Sequence, residues 1–183
     1  MEKEDEDYLF TLAQDADSYL NSWNSLPTPP GTAQAKSMYE EMSKALLNAV
    51  VCLPASTKPE ADGTTALAKP TPIGTVILGS RDAMRANNRA GFLGITIEDQ
   101  YQGQGYGSEV INWVLDFGFR YMNLHRVELQ TFGSNLGAIR LYERLGFVHE
   151  GRRRETTFRE GEYVDSVVMG ILEGEWRRSR GIS

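Results

Sequence analysis

One stretch decides the fold of this chain: Gln102-Gly103-Gln104-Gly105-Tyr106-Gly107-Ser108. Ahead of it, residues 91–97 form a short apolar run that becomes β-branched at its end, which predicts a buried strand. Behind it, apolar residues recur at helical spacing from Val110 to Met122. Glycines allow a tight turn, and the backbone N–H groups that start the new helix can bind a phosphate or pyrophosphate. The stretch therefore predicts a strand, an anion-binding loop and a helix.

Residues 102–108 do not match two well-known glycine-rich motifs that bind nucleotides. The dinucleotide fingerprint requires glycines at positions 103, 105 and 108, but position 108 is Ser108 and the third glycine, Gly107, comes one residue early. The Walker loop ends in Gly-Lys-Ser/Thr, and the chain contains no lysine after Lys69. The residues therefore argue against both a dinucleotide loop and a nucleoside-triphosphate loop.

Two motifs together resemble a known family. The spacing Gln102-x-x-Gly105-x-Gly107 is similar to the acyl-CoA signature of the GNAT superfamily of acetyl-CoA-dependent N-acetyltransferases. Downstream, residues 135–147 resemble the superfamily's second CoA-contacting helix. The resemblance covers residues 73–176 well and the front of the chain only loosely. It implies a single α/β domain over residues 1–183 with the GNAT acyl-CoA N-acyltransferase fold: a mixed, mainly antiparallel sheet with helices on both faces.

The same resemblance implies a reaction and a set of cofactor-binding residues. Acetyl-CoA would be the cosubstrate, without a metal, and its acetyl group would pass directly to a primary amine of a small molecule or protein N-terminus. The implied cofactor-binding residues come from the strand end, the loop and the second helix: Ile95, Thr96, Ile97, Gln102, Gly103, Gln104, Gly105, Tyr106, Gly107, Ser108, Asn135, Ala138 and Tyr142. A non-catalytic acyl-CoA-binding module is the alternative, and it differs in turnover rather than in cofactor binding.

Tyr142 and Glu98 are the candidate catalytic residues. Tyr142 stands where the family has its general acid, a phenol that protonates the departing thiolate; an aromatic that packs helix against sheet is the alternative. Some relatives place a glutamate base at the position of Gln130, but an amide cannot usefully accept a proton. Glu98 is therefore the first candidate for the base. Glu128, Asp99, a water relay and an amine that arrives deprotonated remain alternatives.

Composition and charge narrow the functional classes. Hydrophobic residues make up 40% of the chain and charged residues 24%, which is ordinary for a soluble globular protein. The formal net charge of −6 argues against nucleic acid as a main partner, because such binding depends on neutralising phosphates. No apolar run approaches the ~20 residues of a membrane span, and no signal peptide is visible. We therefore expect no membrane association, and a monomer or homodimer.

The single cysteine, Cys52, excludes an intramolecular disulfide and favours a reducing compartment, the cytoplasm. Cys52 lies in the apolar run 48–53 and is expected to be buried, as free cysteines usually are.

The remaining elements are predicted from periodicity and turn residues. Helices are expected over residues 9–20 and 33–47, and strands over 48–53, 73–78 and 126–132, the last parallel to 91–97. Residues 54–72 and 80–90 are expected to be loops, 147–159 and 162–172 a hairpin, and Trp176 part of a short basic tail. Members of the family usually begin with a strand before the first helix. None is predicted here, so that N-terminal strand is apparently missing through truncation or variation.

The hairpin is rich in arginine. Arg152, Arg153, Arg154 and Arg159 crowd one segment of an acidic chain, and they are either a solvated strand surface or a clamp for an acidic group of the substrate. Asp165 resembles a recurrent acid in the branch of the family that acetylates ribosomal-protein N-termini, diamines and some antibiotics. It is equally expected to pair with these arginines.

Overall fold

The computed structural model describes residues 5–14, 31–55, 57–59, 65–67, 69–80 and 83–182. The helices in this part of the chain are α1 (Glu6–Gln14), α2 (Thr32–Met42), α3 (Tyr106–Arg120), α4 (Leu136–Arg144) and α5 (Glu173–Ser179). The strands are β1 (Leu47–Leu53), β2 (Thr57–Pro59), β3 (Thr65–Leu67), β4 (Thr71–Gly79), β5 (Ala90–Ile97), β6 (Arg126–Phe132), β7 (Val148–Arg159) and β8 (Glu162–Leu172). Two 3₁₀ helices lie at Ala83–Asn88 and Asp99–Tyr101.

Six strands form one sheet in the order β1-β4-β5-β6-β8-β7, and β2 pairs with β3 separately. Within the large sheet, β5 and β6 are parallel and all other neighbours are antiparallel. The predicted mixed, mainly antiparallel sheet is therefore confirmed, and so are the parallel pair and the carboxyl-terminal hairpin.

The strand β4 is covered on both faces. Val76 and Leu78 belong to the main hydrophobic cluster, which also contains the buried α3 residues Ile111, Val114, Leu115 and Phe119. Alternate residues of a strand point to opposite faces. Ile73 and Thr75 therefore face the other side, and they are only 1% and 5% exposed. Helices α1 and α2 add further buried residues outside the main cluster, namely Leu9, Leu12, Ala13 and Met42.

The parallel pair diverges along its length. Strand β5 pairs with β6 only from Ala90 to Phe92, although it stays paired with β4 as far as Ile97. Strand β6 continues to Phe132, with β8 as its ladder partner. A cleft therefore opens between the carboxyl-terminal halves of β5 and β6. This is the edge at which the glycine-rich loop follows β5.

Several predicted boundaries need correction. Helix α2 ends at Met42 rather than at residue 47, and the predicted stretch 15–20 of the first helix lies outside the described residues. The predicted loop 54–72 contains the short β2–β3 ladder, and the predicted loop 80–90 contains a 3₁₀ helix. Three-residue strands carry too few positions to show a period, so the sequence pattern could not reveal them. No strand precedes β1 within residues 5–14 and 31–46, and the missing N-terminal strand stays a prediction.

Two single-residue predictions were wrong. Cys52 is exposed rather than buried. It lies next to the last residue of β1, which is an edge strand of the large sheet, so the usual burial of free cysteines does not hold here. Trp176, predicted in a basic tail, is 1% exposed in α5, where its ring lies 5.2 Å from that of Phe119. None of the described helices is long and apolar enough to cross a membrane.

Candidate active site

A cavity of about 490 Å³ occupies the cleft between β5 and β6. One wall is β5 from Phe92 to Ile97, and another is formed by Gln130 and Thr131 of β6. The glycine-rich loop and α4 complete the lining. Since β5 has no ladder partner on its β6 side beyond Phe92, its main chain offers hydrogen-bonding groups to an extended guest molecule.

The loop itself is shaped by two glycines with positive φ. Gly103 has φ +71° and Gly105 has φ +95°, a region that residues with side chains rarely adopt. Helix α3 begins immediately after, at Tyr106, so its first backbone N–H groups face the mouth of the cavity without intrahelical partners. The end of a helix that carries these groups attracts anions. The loop can therefore hold a phosphate or pyrophosphate.

Gly107 has a different role from its two neighbours. It lies within the first turn of α3, and a Cβ built on it would approach the Leu141 side chain of α4 to 3.3 Å. Gly107 thus lets the two helices that flank the cavity come close together. The side chain of Gln102 ties the loop to the end of β5. Its Nε2 donates to the carbonyl of Ile97 at 2.8 Å and to Asp99 Oδ1 at 2.7 Å.

Asn135 is the N-cap of α4. Its Oδ1 accepts a hydrogen bond of 3.0 Å from the N–H of Ala138, which is the geometry of an N-cap. Gly146, with φ +94°, follows the end of the helix. The cap and the stop fix the length of α4 and thereby place Tyr142 at the cavity.

Tyr142 is 8% exposed and lines the cavity. Its ring meets that of Phe147 edge-on at 5.8 Å between centroids. Burial raises the pKa of Tyr142 to about 12, so its phenol stays protonated at neutral pH. A protonated phenol in this position can donate to a negative charge that develops in the cavity.

Both carboxylate oxygens of Glu98 already accept hydrogen bonds. Tyr8 of α1 donates its hydroxyl proton to Glu98 Oε1 at 2.8 Å, and Gln100 Nε2 donates to Glu98 Oε2 at 3.0 Å. Glu98 is not among the residues that line the cavity. Its role as the general base stays a prediction, and this geometry does not favour it.

Gln130 lines the cavity on the β6 side. Its Nε2 donates to Ser166 Oγ of β8 at 2.7 Å, and Ser166 is 1% exposed. With one amide N–H engaged, Gln130 keeps its second N–H and its carbonyl oxygen for other partners. That oxygen can accept a hydrogen bond from an amine, but it cannot take up the proton usefully.

The cavity brings together most of the residues predicted to bind the cofactor. Of that set, those in the lining are Ile95, Thr96, Ile97, Gln102, Gly103, Gly105, Gly107, Ser108, Asn135, Ala138 and Tyr142. Gln104 and Tyr106 are not in the lining; Gln104 Nε2 instead donates to the carbonyl of Gln100 at 2.9 Å. Cofactor binding by any of these residues stays a prediction.

Other lining residues were not predicted, among them Tyr101, Thr131, Leu141 and Arg144. Leu141 and Arg144 lie in the helix motif that carried the family resemblance, and one helical turn separates them. That spacing could have predicted that both residues line the cavity. Thr131 gave none, because only the divergence of β5 from β6 exposes it to the cavity.

The arginine-rich hairpin lies beside the carboxyl end of β6. Arg152 pairs with Asp165 at 2.5 Å. Of the two roles predicted for Asp165, this is the pairing with the hairpin arginines. A hydrogen bond from the Glu155 N–H and the Arg152 side chain lower the pKa of the Asp165 carboxyl. Arg159 lies over the ring of Phe132, with its Cζ 4.2 Å from the ring centroid.

Within the described residues, no group of three or more His, Cys, Asp or Glu side chains is arranged to hold a metal ion.

Comparison with known proteins identifies relatives with this fold. A solved spermidine N-acetyltransferase from Vibrio cholerae, in complex with CoA and spermine, superposes with a TM-score of 0.73 and 25% identity, covering 96% of this chain and 94% of that one. In sequence, a spermidine N(1)-acetyltransferase of Vibrio cholerae is 39% identical over 82 residues, which are 45% of this chain and 47% of the relative. The L-amino acid N-acetyltransferase AaaT of Escherichia coli is 28% identical over 101 residues, 55% of this chain and 62% of that protein.

In both curated relatives the matched stretch is less than two thirds of the protein's length. The family model covers more: the acetyltransferase (GNAT) domain matches residues 1–148. The predicted family and fold are therefore confirmed, and the chain belongs to the GNAT acetyltransferase domain family.

Proposed function

We propose that this protein is an N-acetyltransferase that moves the acetyl group of acetyl-CoA directly to a primary amine. One observation carries the proposal: the glycine-rich loop, the unpaired half of β5 and the buried phenol of Tyr142 all face the same cavity. In acetyl-CoA, the loop would bind the pyrophosphate, β5 would bind the extended amide-containing arm, and Tyr142 would lie next to the thiol. Membership of the family supports the same reading.

The residues divide the work of binding. The N–H groups at the start of α3 would hold the pyrophosphate, and Arg144, which lines the cavity and donates to Ser108 Oγ at 3.4 Å, adds a positive charge nearby. The main chain of Ile95, Thr96 and Ile97 would pair with the pantetheine arm as a neighbouring strand would. These contacts fix the thioester next to Tyr142.

Acetyl-CoA supplies an activated thioester: the amine nitrogen forms a bond to the carbonyl carbon, the carbon–sulfur bond breaks, and CoA leaves as a thiolate. Tyr142 donates its proton to that sulfur. The substrate ammonium loses one proton to water before attack, and its nitrogen loses a second proton to water as the amide forms. A proton from solvent then restores the phenol. Gln130 would hold the amine through its carbonyl oxygen. Because Gln130 cannot take the proton and Glu98 is already hydrogen bonded, we propose that the amine reacts after losing its proton to water.

The proposal is tested by turnover with a panel of amines. Purified protein and acetyl-CoA are mixed with spermidine, L-amino acids, N-terminal peptides or aminoglycosides, and free CoA thiol is measured over time. We expect amine-dependent thiol release that exceeds hydrolysis without an amine. Tight acetyl-CoA binding without turnover for any amine would instead support a non-catalytic acyl-CoA-binding module.

A further inference from the structure

The carboxyl-terminal hairpin extends beyond the cleft. Phe132, the last residue of β6, pairs with Ser166 of β8, but β8 begins four residues earlier at Glu162. The tip of the hairpin therefore projects past the carboxyl end of β6. In open α/β sheets this is the end at which ligands bind.

Arg159 returns from this tip to the end of β6. It pairs with Glu162, and residues that lie opposite each other share a face of the sheet. Glu162 and Ser166 have the same parity along β8, so Arg159 and Phe132 lie on one face. Gln130, two residues before Phe132, lies on that face as well and lines the cavity, whereas Phe132 and Arg159 lie on the same face but outside the lining. The contact between the Arg159 guanidinium and the Phe132 ring, at 4.2 Å, agrees with this placement.

No acidic side chain among the described residues forms an ion pair with the guanidinium of Arg159. Among the described residues, its Nη2 atom is buried and has no hydrogen-bond partner. Burial lowers the pKa of Arg159, and the charge of the neighbouring Glu160 opposes this effect only partly. A buried donor without a partner is costly and unusual in native proteins. Arg152, by contrast, already has Asp165 as its partner.

We propose that Arg159 binds a carboxylate of the acceptor, so that the preferred acceptors are amines that also carry a carboxylate, such as amino acids. Arginine presents planar, paired donors that match a carboxylate. The same fixed positive charge disfavours a polyamine, whose amines are all cationic. This inference rests on the proposed acetyltransferase function and narrows its substrate class.

The test compares amino acids with their own amides. Glycine, 3-aminopropanoate, 4-aminobutanoate and larger α-amino acids are each paired with the corresponding primary amide, and spermidine is added as a polycation. The quantity measured is kcat/KM for the acid divided by kcat/KM for the amide. This ratio is determined for the wild type and for Arg159→Gln. Dividing one ratio by the other cancels the differing basicity of the two amines.

We expect the acid-to-amide ratio to fall by about tenfold or more in Arg159→Gln for at least one pair. The loss of a hydrogen bond to a charged group typically weakens an interaction by about this factor. The KM for acetyl-CoA should not change. Arg159→Lys keeps the charge without the planar donors, so its ratio should lie between those of wild type and Arg159→Gln. Arg154→Gln is the matched control, because Arg154 is an exposed arginine of the same hairpin. Its ratio should equal that of the wild type.

Three results would overturn the inference. In the first, the acid-to-amide ratio is the same in wild type and Arg159→Gln for every pair. In the second, Arg154→Gln lowers the ratio as much as Arg159→Gln. The preference for carboxylates would then come from the summed positive charge of the hairpin and not from a contact with Arg159. In the third, wild type uses spermidine well and no carboxylate-bearing amine. In each of these cases turnover remains, so the proposed function survives; the absence of turnover with every amine would contradict both. If Arg159→Gln does not fold, Arg159→Met, which keeps the apolar stem over Phe132, replaces it.

Discussion

Tyr142 is the single residue whose surroundings say most about chemistry. It is nearly buried, packs against Phe147 and faces the cavity, and its pKa is raised to about 12 by burial. A structural aromatic would share the burial and the packing. The distinguishing feature is that Tyr142 lines a cavity whose other walls are the half of β5 that has no partner on its β6 side and the glycine-rich loop.

Tyr142→Phe separates these two roles. The variant keeps the ring but removes the proton donor, so kcat should fall by at least about tenfold, since general acids contribute typically 10²–10⁴-fold. The ratio kcat/KM should fall with it, and the KM for acetyl-CoA should stay nearly constant, because the lost interaction belongs to the transition state. Steady-state kinetics and the melting temperature are measured on the same preparation. Full kcat together with a lower melting temperature would assign Tyr142 a packing role only.

At this scale the sequence predicted most of the residues that line the cavity. Glu98, Gln104 and Tyr106 lie outside the lining, and the sequence did not show how each residue is hydrogen bonded. Tyr142, Asn135 and the glycines could be located because their roles follow from local motifs. Glu98 could not be judged, since its partner Tyr8 is 90 residues away in the chain. The exposure of Cys52 depends on the position of β1 at the edge of the sheet, and the contact of Arg159 with Phe132 depends on how far a hairpin projects. Such long-range relations leave no local pattern.

At the scale of elements, the cavity wall depends on a close approach between β4 and β5. Gly74 of β4 pairs with Ile97, and a Cβ built on it would lie 2.2 Å from the main-chain oxygen of Thr96. Thr96 and Ile97 both line the cavity. Because main-chain atoms cannot move aside as a flexible side chain can, a side chain at position 74 must displace this wall.

Gly74→Ala should therefore destabilise the protein by about 1–3 kcal/mol, the usual cost of overpacking. For a chain of this size, each kcal/mol corresponds to about 2–4 °C in melting temperature. Gly79→Ala in the same strand is the matched control, because a Cβ there meets nothing within 4 Å. A glycine replaced without strain stabilises by roughly 0.4–1 kcal/mol. Equal melting temperatures for the two variants would show that the close approach is unimportant.

Long periodic elements were predictable, and short or irregular ones were not. Helix α3 shows a helical period and β6 an alternation, β5 is a continuous apolar run, and the Glu160-Gly161 turn marks the β7–β8 hairpin. The two strands β2 and β3 have three residues each, and the 3₁₀ helix over Ala83–Asn88 lies in a polar stretch. Helix α5 was missed because its charged residues dominate its pattern, although the one buried residue, Trp176, anchors it to Phe119.

At the scale of the whole molecule, the divergence of β5 from β6 opens the cavity that we propose as the acetyl-CoA site. Three paired positions hold the strands together, and beyond them the sheet stays intact only through β4 on one side and β8 on the other. The sequence predicted that these strands are parallel and that a loop follows at their carboxyl ends. It did not predict where the pairing ends, because the extent of pairing is a property of the assembled sheet.

The most direct test of this site is the melting temperature with and without acetyl-CoA, in the wild type and in Gly105→Val. Acetyl-CoA at about 100 times its Kd should stabilise the wild type by about 2.7 kcal/mol, a rise of about 5–10 °C. NAD and ATP should produce no comparable rise. Gly105 has φ +95°, which a β-branched residue adopts only with strain, so Gly105→Val should distort the loop and lose the rise. A wild type that does not respond to millimolar acetyl-CoA, or a Gly105→Val variant that responds equally, would contradict the assignment of the cleft as the acetyl-CoA site.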